Sequence, residues 1–432
     1  MQTELFTLPN GLRVILIDTK AFPTMTTVLF FGTGSRFENE KNNGIAHFLE
    51  HMPFKGSKKY PSFFAISSLL EGLGAVHNAY TSKDHTAFWV KAPTTHTATV
   101  LDVLADMILN PLLKEEEIER EKGVIVQEMN MFEDSPQRKV SDLFENLLYG
   151  KQALGRDIIG KKDTVTKFTR NTFTDYMNAF YHPDNAVLVL AGGLGQGKGV
   201  NFMKMVEDKF GYWNTKLAKD LKASKTTEHQ NRPDMLIHYK KTEQTHFSLG
   251  FRTFSFRDKR KYALSLFSTI LGGGSSSRLF IEVRERRGLC YYIHSGKESY
   301  QDVGYMTSQA GVNNDKDKIN EAISVILAEH KKMTEGKITD EELIRAKEMI
   351  KGRILLSMED SSNIATWYGT KLILENKTET VEEVIEKLDK VSKEEVVEVA
   401  KDIVRPEKLN LALIGPFNNE DFRGLLTNDH GL

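Results

Sequence analysis

The two halves of this 432-residue chain resemble each other, at a period far longer than that of a solenoid repeat. Residues 113–135, LKEEEIEREKGVIVQEMNMFEDS, align with residues 338–361, ITDEELIRAKEMIKGRILLSMEDS, once one extra residue is allowed in the second copy. Residues 181–194 and 404–417 correspond as well, each with a proline in third position before an apolar run. Because a single hydrophobic core stops growing at roughly 250–300 residues, a chain of this length needs at least two domains. The repeat predicts that these domains are related.

Strand-like and helix-like patterns mix within each half, which indicates the α+β class. Residues 12–17, 26–31 and 86–92 are rich in β-branched and aromatic residues, as is typical of strands. Residues 99–109 and 115–131 carry the apolar period of helices. We therefore expect two similar α/β-sandwich domains.

A change in composition marks the predicted domain boundary. Between residues 214 and 234 the apolar period is lost, and Lys, Thr, Asn and Pro accumulate as in an exposed linker. The predicted division is a first domain at 1–213, a linker at 214–234 and a second domain at 235–432.

Charge and cysteine content exclude several classes of protein. Lys and Arg number 58 and Asp and Glu number 59, so the formal net charge is −1 and no global field draws the chain onto nucleic acid or an anionic membrane. Cys290 is the single cysteine, which excludes an internal disulfide. The start, MQTELFTLPNGLRVIL, lacks a secretory signal pattern, and no apolar run approaches the roughly 20 residues that span a bilayer. We expect a cytoplasmic protein with neither nucleic acid nor membrane as a partner.

Residues 44–56, GIAHFLEHMPFKG, place His47, Glu50 and His51 in the order H-x-x-E-H, the reverse of the H-E-x-x-H zinc motif. On a helix the two histidines lie about 40° apart around the axis and about 6 Å apart along it, so both can reach one ion. Glu50 projects from the same side, where it can act as a general base toward water without being a ligand. The alternative is a helix whose histidines are simply packed or solvated.

Two histidines leave a catalytic zinc ion one protein ligand short. The predicted helix at 115–131 offers Glu121 and Glu128, which share one helical face. They are separated by about 10.5 Å along the axis, so they cannot both bind one ion. One would be the ligand and the other an orienting carboxylate, and the spacing alone leaves the choice open. For residues 114–122 a solvated charge run is the competing interpretation.

The second copy of the repeat lacks every residue of this set. His47, Glu50, His51, Glu121 and Glu128 align with Leu264, Phe267, Ser268, Ala346 and Arg353 in that order. This difference between the halves predicts one catalytic domain and one domain without a metal.

Further segments complete a specific pattern: 10–14 (NGLRV), 32–36 (GTGSR), 78–81 (NAYT), 271–280 (LGGGSSSRLF) and 284–291 (RERRGLCY). With these and the H-x-x-E-H motif, the chain resembles, over essentially its whole length, the peptidases of the pitrilysin, insulin-degrading enzyme and mitochondrial processing peptidase group, and the processing-peptidase branch most of all. The resemblance implies one Zn2+ per chain, Glu128 as the third ligand and Glu121 as the outer-sphere carboxylate beside a zinc histidine. It also implies the processing-peptidase type of metallohydrolase fold, paired into a clam-shell dimer.

The resemblance further implies how a peptide substrate is held. An edge strand at Asn78 and Ala79 would pair with an extended peptide through main-chain hydrogen bonds. Arg284 and Tyr291 match an Arg-x6-Tyr pair that contacts the substrate carbonyl, where both would stabilise developing negative charge. A surface arginine beside a core tyrosine is the alternative.

The sequence thus predicts a zinc endopeptidase that acts on unstructured peptides or presequence-like segments. A non-catalytic scaffold or substrate-binding subunit of a heterodimeric peptidase is the alternative, although such a subunit would not need the intact set of zinc residues. Because the metal motif and the Arg284/Tyr291 pair occur in one chain, we expect a homodimer, with a heterodimer of related subunits as the other possibility. Whether Arg284 and Tyr291 act in their own chain or in a partner is left open.

Overall fold

The computed structural model describes residues 1–196, 201–215, 223–418, 422 and 425–426. The described residues form two compact units, each built around one β-sheet, which confirms the predicted α+β class. Unit 1 draws its residues from 1–129, 156–224 and 355–380. Unit 2 draws them from 130–155, 225–354 and 381–432. No helix among the described residues is both long and apolar enough to cross a membrane.

The strands and helices are numbered in chain order. The strands are β1 (Gln2–Thr7), β2 (Arg13–Asp18), β3 (Thr24–Phe31), β4 (Val76–Thr81), β5 (Thr86–Pro93), β6 (Ala186–Gly192), β7 (Asp234–Tyr239), β8 (Gln244–Thr253), β9 (Cys290–Ser299), β10 (Gly304–Asn313) and β11 (Leu409–Gly415). The helices are α1 (Ile45–His51), α2 (Phe63–Gly72), α3 (Thr97–Leu109), α4 (Glu115–Glu133), α5 (Pro136–Tyr149), α6 (Lys162–Val165), α7 (Arg170–Phe180), α8 (Phe202–Phe210), α9 (Lys261–Gly272), α10 (Lys316–Thr334), α11 (Asp340–Ser357), α12 (Ser361–Glu375), α13 (Val381–Lys390) and α14 (Lys393–Ile403).

The sheet of unit 1 has the order β1-β2-β6-β3-β5-β4. Strands β2 and β6 are parallel, and the other neighbouring pairs are antiparallel. Every residue of β6, AVLVLAG, is buried, as expected for a strand covered on both faces. Strand β4 lies at the edge of the sheet, where β5 is its strand neighbour among the described residues.

Among the described residues, the sheet of unit 2 repeats this arrangement for five strands and has no counterpart of β1. Its order is β7-β11-β8-β10-β9, with β7 and β11 parallel and the other neighbours antiparallel. The order matches β2-β6-β3-β5-β4 of unit 1, position by position. The internal repeat that the sequence indicates is therefore present in the topology.

The compact units differ from the division that the sequence predicts, because two helices are exchanged between the halves of the chain. Helix α5, from the first half, packs on β11, β8 and β7 of unit 2. Helix α12, from the second half, packs on β6, β3 and β2 of unit 1. Gly369 of α12 allows close approach, since a Cβ there would lie 2.1 Å from the ring of Phe30. Of the predicted linker at 214–234, residues 216–222 lie outside the described residues.

Candidate metal centre

Helix α1 carries the three residues of the H-x-x-E-H motif, and a buried carboxylate binds the backbone of its first turn. Gly44 precedes the helix with a φ of 97°, in the left-handed region that favours glycine. The buried carboxylate of Glu38 accepts hydrogen bonds from the backbone N–H groups of Gly44 (2.8 Å) and Ala46 (2.9 Å) and from Nδ2 of Asn43 (2.9 Å). Burial raises the pKa of Glu38 to about 7, although these hydrogen bonds lower it. The start of the histidine-bearing helix is thus fixed by a side chain that lies outside the motif.

The side chains of His47, Glu50 and His51 converge. Each offers one possible ligand atom, and these atoms lie within 4.8 Å of one another. The two imidazole rings are 5.0 Å apart between centroids. Nδ1 of His47 and Oε2 of Glu50 are buried and have no hydrogen-bond partner among the described residues. A buried carboxylate oxygen without a protein partner beside two imidazoles is the arrangement expected where a metal ion and a water molecule complete the site.

Helix α4 adds Glu128 on the open side of the two imidazoles. Its Oε2 lies 3.6 Å from Nε2 of His47 and 4.0 Å from Nε2 of His51. Two donors on one tetrahedral zinc ion are separated by about 3.4 Å, given bonds of roughly 2.0–2.2 Å. Two imidazole nitrogens and one carboxylate oxygen also form a donor set known from catalytic zinc sites. The residues present therefore fit a zinc ion.

Glu121 contacts the other nitrogen of the His51 ring, Nδ1, and not the Nε2 that faces Glu128. Its Oε1 is 2.9 Å from Nδ1 of His51, and its side chain is only 4% exposed. A hydrogen bond from Nδ1 to a carboxylate leaves the lone pair of Nε2 directed at the site, which is the orientation that a ligand needs. In the structure, Glu121 and Glu128 contact different nitrogen atoms of the histidines, a difference that the spacing alone could not show. Their roles as outer-sphere residue and ligand stay predictions.

The electrostatic field at the site favours a cation. Burial lowers the pKa of His51, but the hydrogen bond with Glu121 and the charges of Glu50, Glu121 and Glu128 raise it by more, so its pKa lies above the ordinary value. Burial raises the pKa of Glu121, whereas its bonds with His51 and Lys55 bring it below the usual value. A field that attracts a proton to His51 attracts a metal cation at the same place.

A cavity of about 240 Å3 opens beside the motif, in unit 1. Its lining residues are Glu50, His51, Phe54, Lys55, Phe63, His77, Asn78, Ala79 and Glu121. Asn78 and Ala79 belong to the edge strand β4, where the sequence predicts substrate pairing. Oδ1 of Asn78 accepts a hydrogen bond from the backbone N–H of Ala79 at 2.8 Å. The predicted substrate residues therefore lie next to the predicted base, and their role stays a prediction.

Arg284 and Tyr291 lie in unit 2. Arg284 belongs to a π-helical turn, Phe280–Glu285, and Tyr291 is the second residue of β9 with 75% exposure. The guanidinium carbon of Arg284 lies 5.5 Å from the centroid of the Tyr291 ring, close enough for a cation–π contact. Tyr291 is therefore not a core tyrosine, and the two side chains form a pair. Their contact with a substrate stays a prediction.

Two of the counterpart positions in unit 2 belong to the hydrophobic core. Leu264 and Phe267, which align with His47 and Glu50, lie in α9 and are fully buried. Among the described residues, the group of His47, Glu50 and His51 is the one in which three metal-binding side chains meet within ligand distance. That one domain has a metal site and the other has none stays a prediction.

Sequence reasoning missed two residues that support the site. Lys55 contacts Glu121, and Glu38 holds the first turn of α1. Lys55 could have been noticed because it follows His51 by four residues, at helical spacing. Nothing in the spacing of Glu38 indicates its contact with α1.

Comparison with known proteins places these observations in a family. Residues 13–162 match the model described as insulinase, peptidase family M16, and residues 167–350 match the peptidase M16 inactive domain. The chain belongs to peptidase family M16.

Relatives of similar length support the match. The chain is 36% identical over 415 residues to the uncharacterized zinc protease YmxG of Bacillus subtilis, covering 96% of this chain and 98% of that protein. It is 29% identical over 440 residues to the mitochondrial-processing peptidase subunit beta of Bos taurus, covering 99% of this chain and 87% of that protein. A solved protease from Helicobacter pylori has the same fold, with a TM-score of 0.89 at 24% identity over 96% of this chain and 99% of that one. The resemblance seen in the sequence is thereby confirmed.

Proposed function

We propose that this chain is a zinc-dependent endopeptidase that hydrolyses peptide bonds in unstructured peptides or presequence-like segments. The observation that carries the proposal is the convergence of Nε2 of His47, Nε2 of His51 and Oε2 of Glu128, with a partnerless carboxylate oxygen of Glu50 beside them. These three side chains would hold one Zn2+ per chain. A scaffold subunit would have no chemical use for a buried carboxylate kept without a protein partner at such a place.

The chemistry divides between the ion and the side chains. Zinc, when bound, lowers the pKa of a water molecule and polarises the scissile carbonyl group. Glu50 would accept a proton from the attacking water at its carboxylate and later pass it to the leaving amine. Glu121 keeps Nε2 of His51 directed at the ion through the bond at Nδ1. Arg284 and Tyr291, from the same chain or from a partner, would stabilise the negative charge that develops on the carbonyl oxygen.

The position of the edge strand supports an extended substrate. Strand β4 is an edge strand of the sheet that the described residues form, and Asn78 and Ala79 line the cavity that Glu50 also lines. A peptide that adds to this edge would gain main-chain hydrogen bonds whatever its sequence, but a folded segment has no free backbone to offer. The bovine relative named a mitochondrial-processing peptidase subunit is the basis for proposing presequence-like segments among the substrates.

A small disulfide-bonded protein, native or reduced and alkylated, tests this substrate class. We expect the zinc-loaded enzyme to cleave the unfolded form at least about tenfold faster, since only that form can supply an extended strand. The measurement is the initial rate of fragment formation by mass spectrometry. Equal rates for both forms would contradict strand recognition, and cleavage of neither form over a panel of such proteins would contradict the peptidase proposal.

We further propose that the active form is a homodimer in the cytoplasm. The metal site and the Arg284/Tyr291 pair occur in one chain, so two copies could form two complete sites. Light scattering of the purified chain, run in parallel with a peptidase assay, should give twice the mass of one chain for the active species. An inactive monomer that gains activity only with a second, related protein would contradict the homodimer and favour a heterodimer.

A further inference from the structure

Glu121 is a buried carboxylate that is held at both of its oxygens. Oε1 lies 2.9 Å from Nδ1 of His51, and Oε2 lies 2.5 Å from Nζ of Lys55. The Glu121 side chain is 4% exposed and that of Lys55 is 23% exposed. Each oxygen therefore has a charged or polar donor of its own, and the plane of the carboxylate is set by two contacts rather than one.

Both donors come from the same short stretch of chain. His51 is the last residue of α1, and Lys55 is the last residue of the 3-10 turn Met52–Lys55 that follows directly. Glu121 approaches from α4. The ammonium group of Lys55 also lies 5.6 Å from the ring centroid of Phe63, within the range of a cation–π contact. The carboxylate of Glu121 on α4 thus contacts two groups, and the short stretch from His51 to Lys55 fixes the distance between them.

We propose that Lys55 is a positioning residue of the metal site, which holds Glu121 so that Glu121 in turn holds the imidazole of His51 for the metal. This inference rests on the proposed function. With Lys55 removed, Glu121 would keep a single partner and could turn about its terminal bond, and the orientation of the His51 ring would no longer be fixed. Outer-sphere partners of this kind typically change metal affinity by about 10–100-fold.

The charges lead to the same assignment. An imidazole that binds a metal through Nε2 is neutral and serves Glu121 only as a hydrogen-bond donor. Without Lys55, the carboxylate of Glu121 would then be a buried anion with no cation of the protein in contact with it. An unpaired buried charge is costly, whereas a paired one is tolerated. Lys55 supplies the paired cation at the oxygen that faces away from His51.

The test is the zinc affinity of the folded chain, measured by competition with a chromophoric chelator. Replacing Lys55 with Met should weaken zinc binding by about 10–100-fold, and Lys55→Arg should retain most of the affinity because it keeps the charge. Lys58→Met removes an exposed lysine of the same segment and should leave the affinity unchanged. If the wild-type chain binds no zinc, the proposed function fails; if it binds zinc and Lys55→Met binds equally well, only this inference fails.

A double-mutant cycle separates positioning from a general effect on the fold. In a Glu121→Gln background, Lys55→Met should alter the zinc affinity by no more than about twofold, since its partner is already gone. A loss as large as that seen in the wild-type background would show that Lys55 acts independently of Glu121 and would overturn the proposal. Should Lys55→Met not fold, Lys55→Gln replaces it in both backgrounds, with the same outcomes expected.

Discussion

Replacing Glu50 with Gln should abolish peptide hydrolysis and leave zinc bound. The substitution keeps the shape of the side chain but removes its ability to accept a proton, so the proposed general base is lost while the proposed ligands His47, His51 and Glu128 remain. Loss of a general base lowers kcat by about 10²–10⁴-fold. Because Oε2 of Glu50 has no hydrogen-bond partner among the described residues, the amide breaks no protein contact there. The measurements are kcat on a peptide substrate and the zinc content of the same preparation.

The experiment also decides between two roles for Glu50. The carboxylate lies within 4.8 Å of the histidine nitrogens, so geometry alone would allow it to be a ligand in place of Glu128. If Glu50 is the base, the variant retains one zinc per chain and loses activity; if it is a ligand, the zinc is lost as well. Glu119→Gln, a change at a side chain on α4 that is 69% exposed, serves as the control and should leave both quantities unchanged. Zinc loss or near-normal activity in Glu50→Gln would each contradict the assignment of the base.

Much of the site could be predicted because helical geometry acts over short spacings. Residues four apart share one side of a helix, so the sequence predicts that His47 and His51 can reach one ion. The seven-residue spacing of Glu121 and Glu128 put both on one face of α4 and showed that only one could bind. Which one faces the open nitrogens depends on how α4 lies against α1, and this is a matter of tertiary packing. In the structure, Oε2 of Glu128 lies 3.6 Å from Nε2 of His47, whereas Oε1 of Glu121 lies 2.9 Å from Nδ1 of His51.

The features that the sequence did not reveal are contacts between distant segments. The periodicity of α5 and α12 shows that each has an apolar face, but it does not show which sheet that face covers. Each helix packs on the sheet built mainly from the other half of the chain, so a division into consecutive domains does not match the compact units. Lys55 stands at helical spacing from His51, but its partner Glu121 lies on another helix and becomes visible only in the folded chain. Glu38 lies close to α1 in the sequence, yet nothing in its spacing indicates that its carboxylate binds the first turn of that helix.

Exchanging Glu128 and Glu121 separately for Gln should affect zinc binding to very different extents. Oε2 of Glu128 faces Nε2 of both histidines, so its loss removes one of three ligands and replaces an anion with a neutral amide. Glu121 contacts His51 at Nδ1, on the opposite side of that ring from Nε2, so its loss should weaken binding by about 10–100-fold. Glu128→Gln should weaken it by considerably more. Chelator competition on both variants, with Glu119→Gln as the control from the same helix, measures the difference.

Which of the two variants loses more zinc affinity decides which glutamate is the ligand. If Glu121→Gln loses more zinc affinity than Glu128→Gln, the ligand has been assigned to the wrong glutamate, because an outer-sphere residue acts on the ion only through the ring it orients. Equal losses would contradict the assignment too, since the two carboxylates meet different atoms of the site. Activity adds an independent readout. At saturating zinc, Glu121→Gln should recover much of its hydrolysis because the three ligands and Glu50 are intact, whereas Glu128→Gln should not, because the donor set itself has changed.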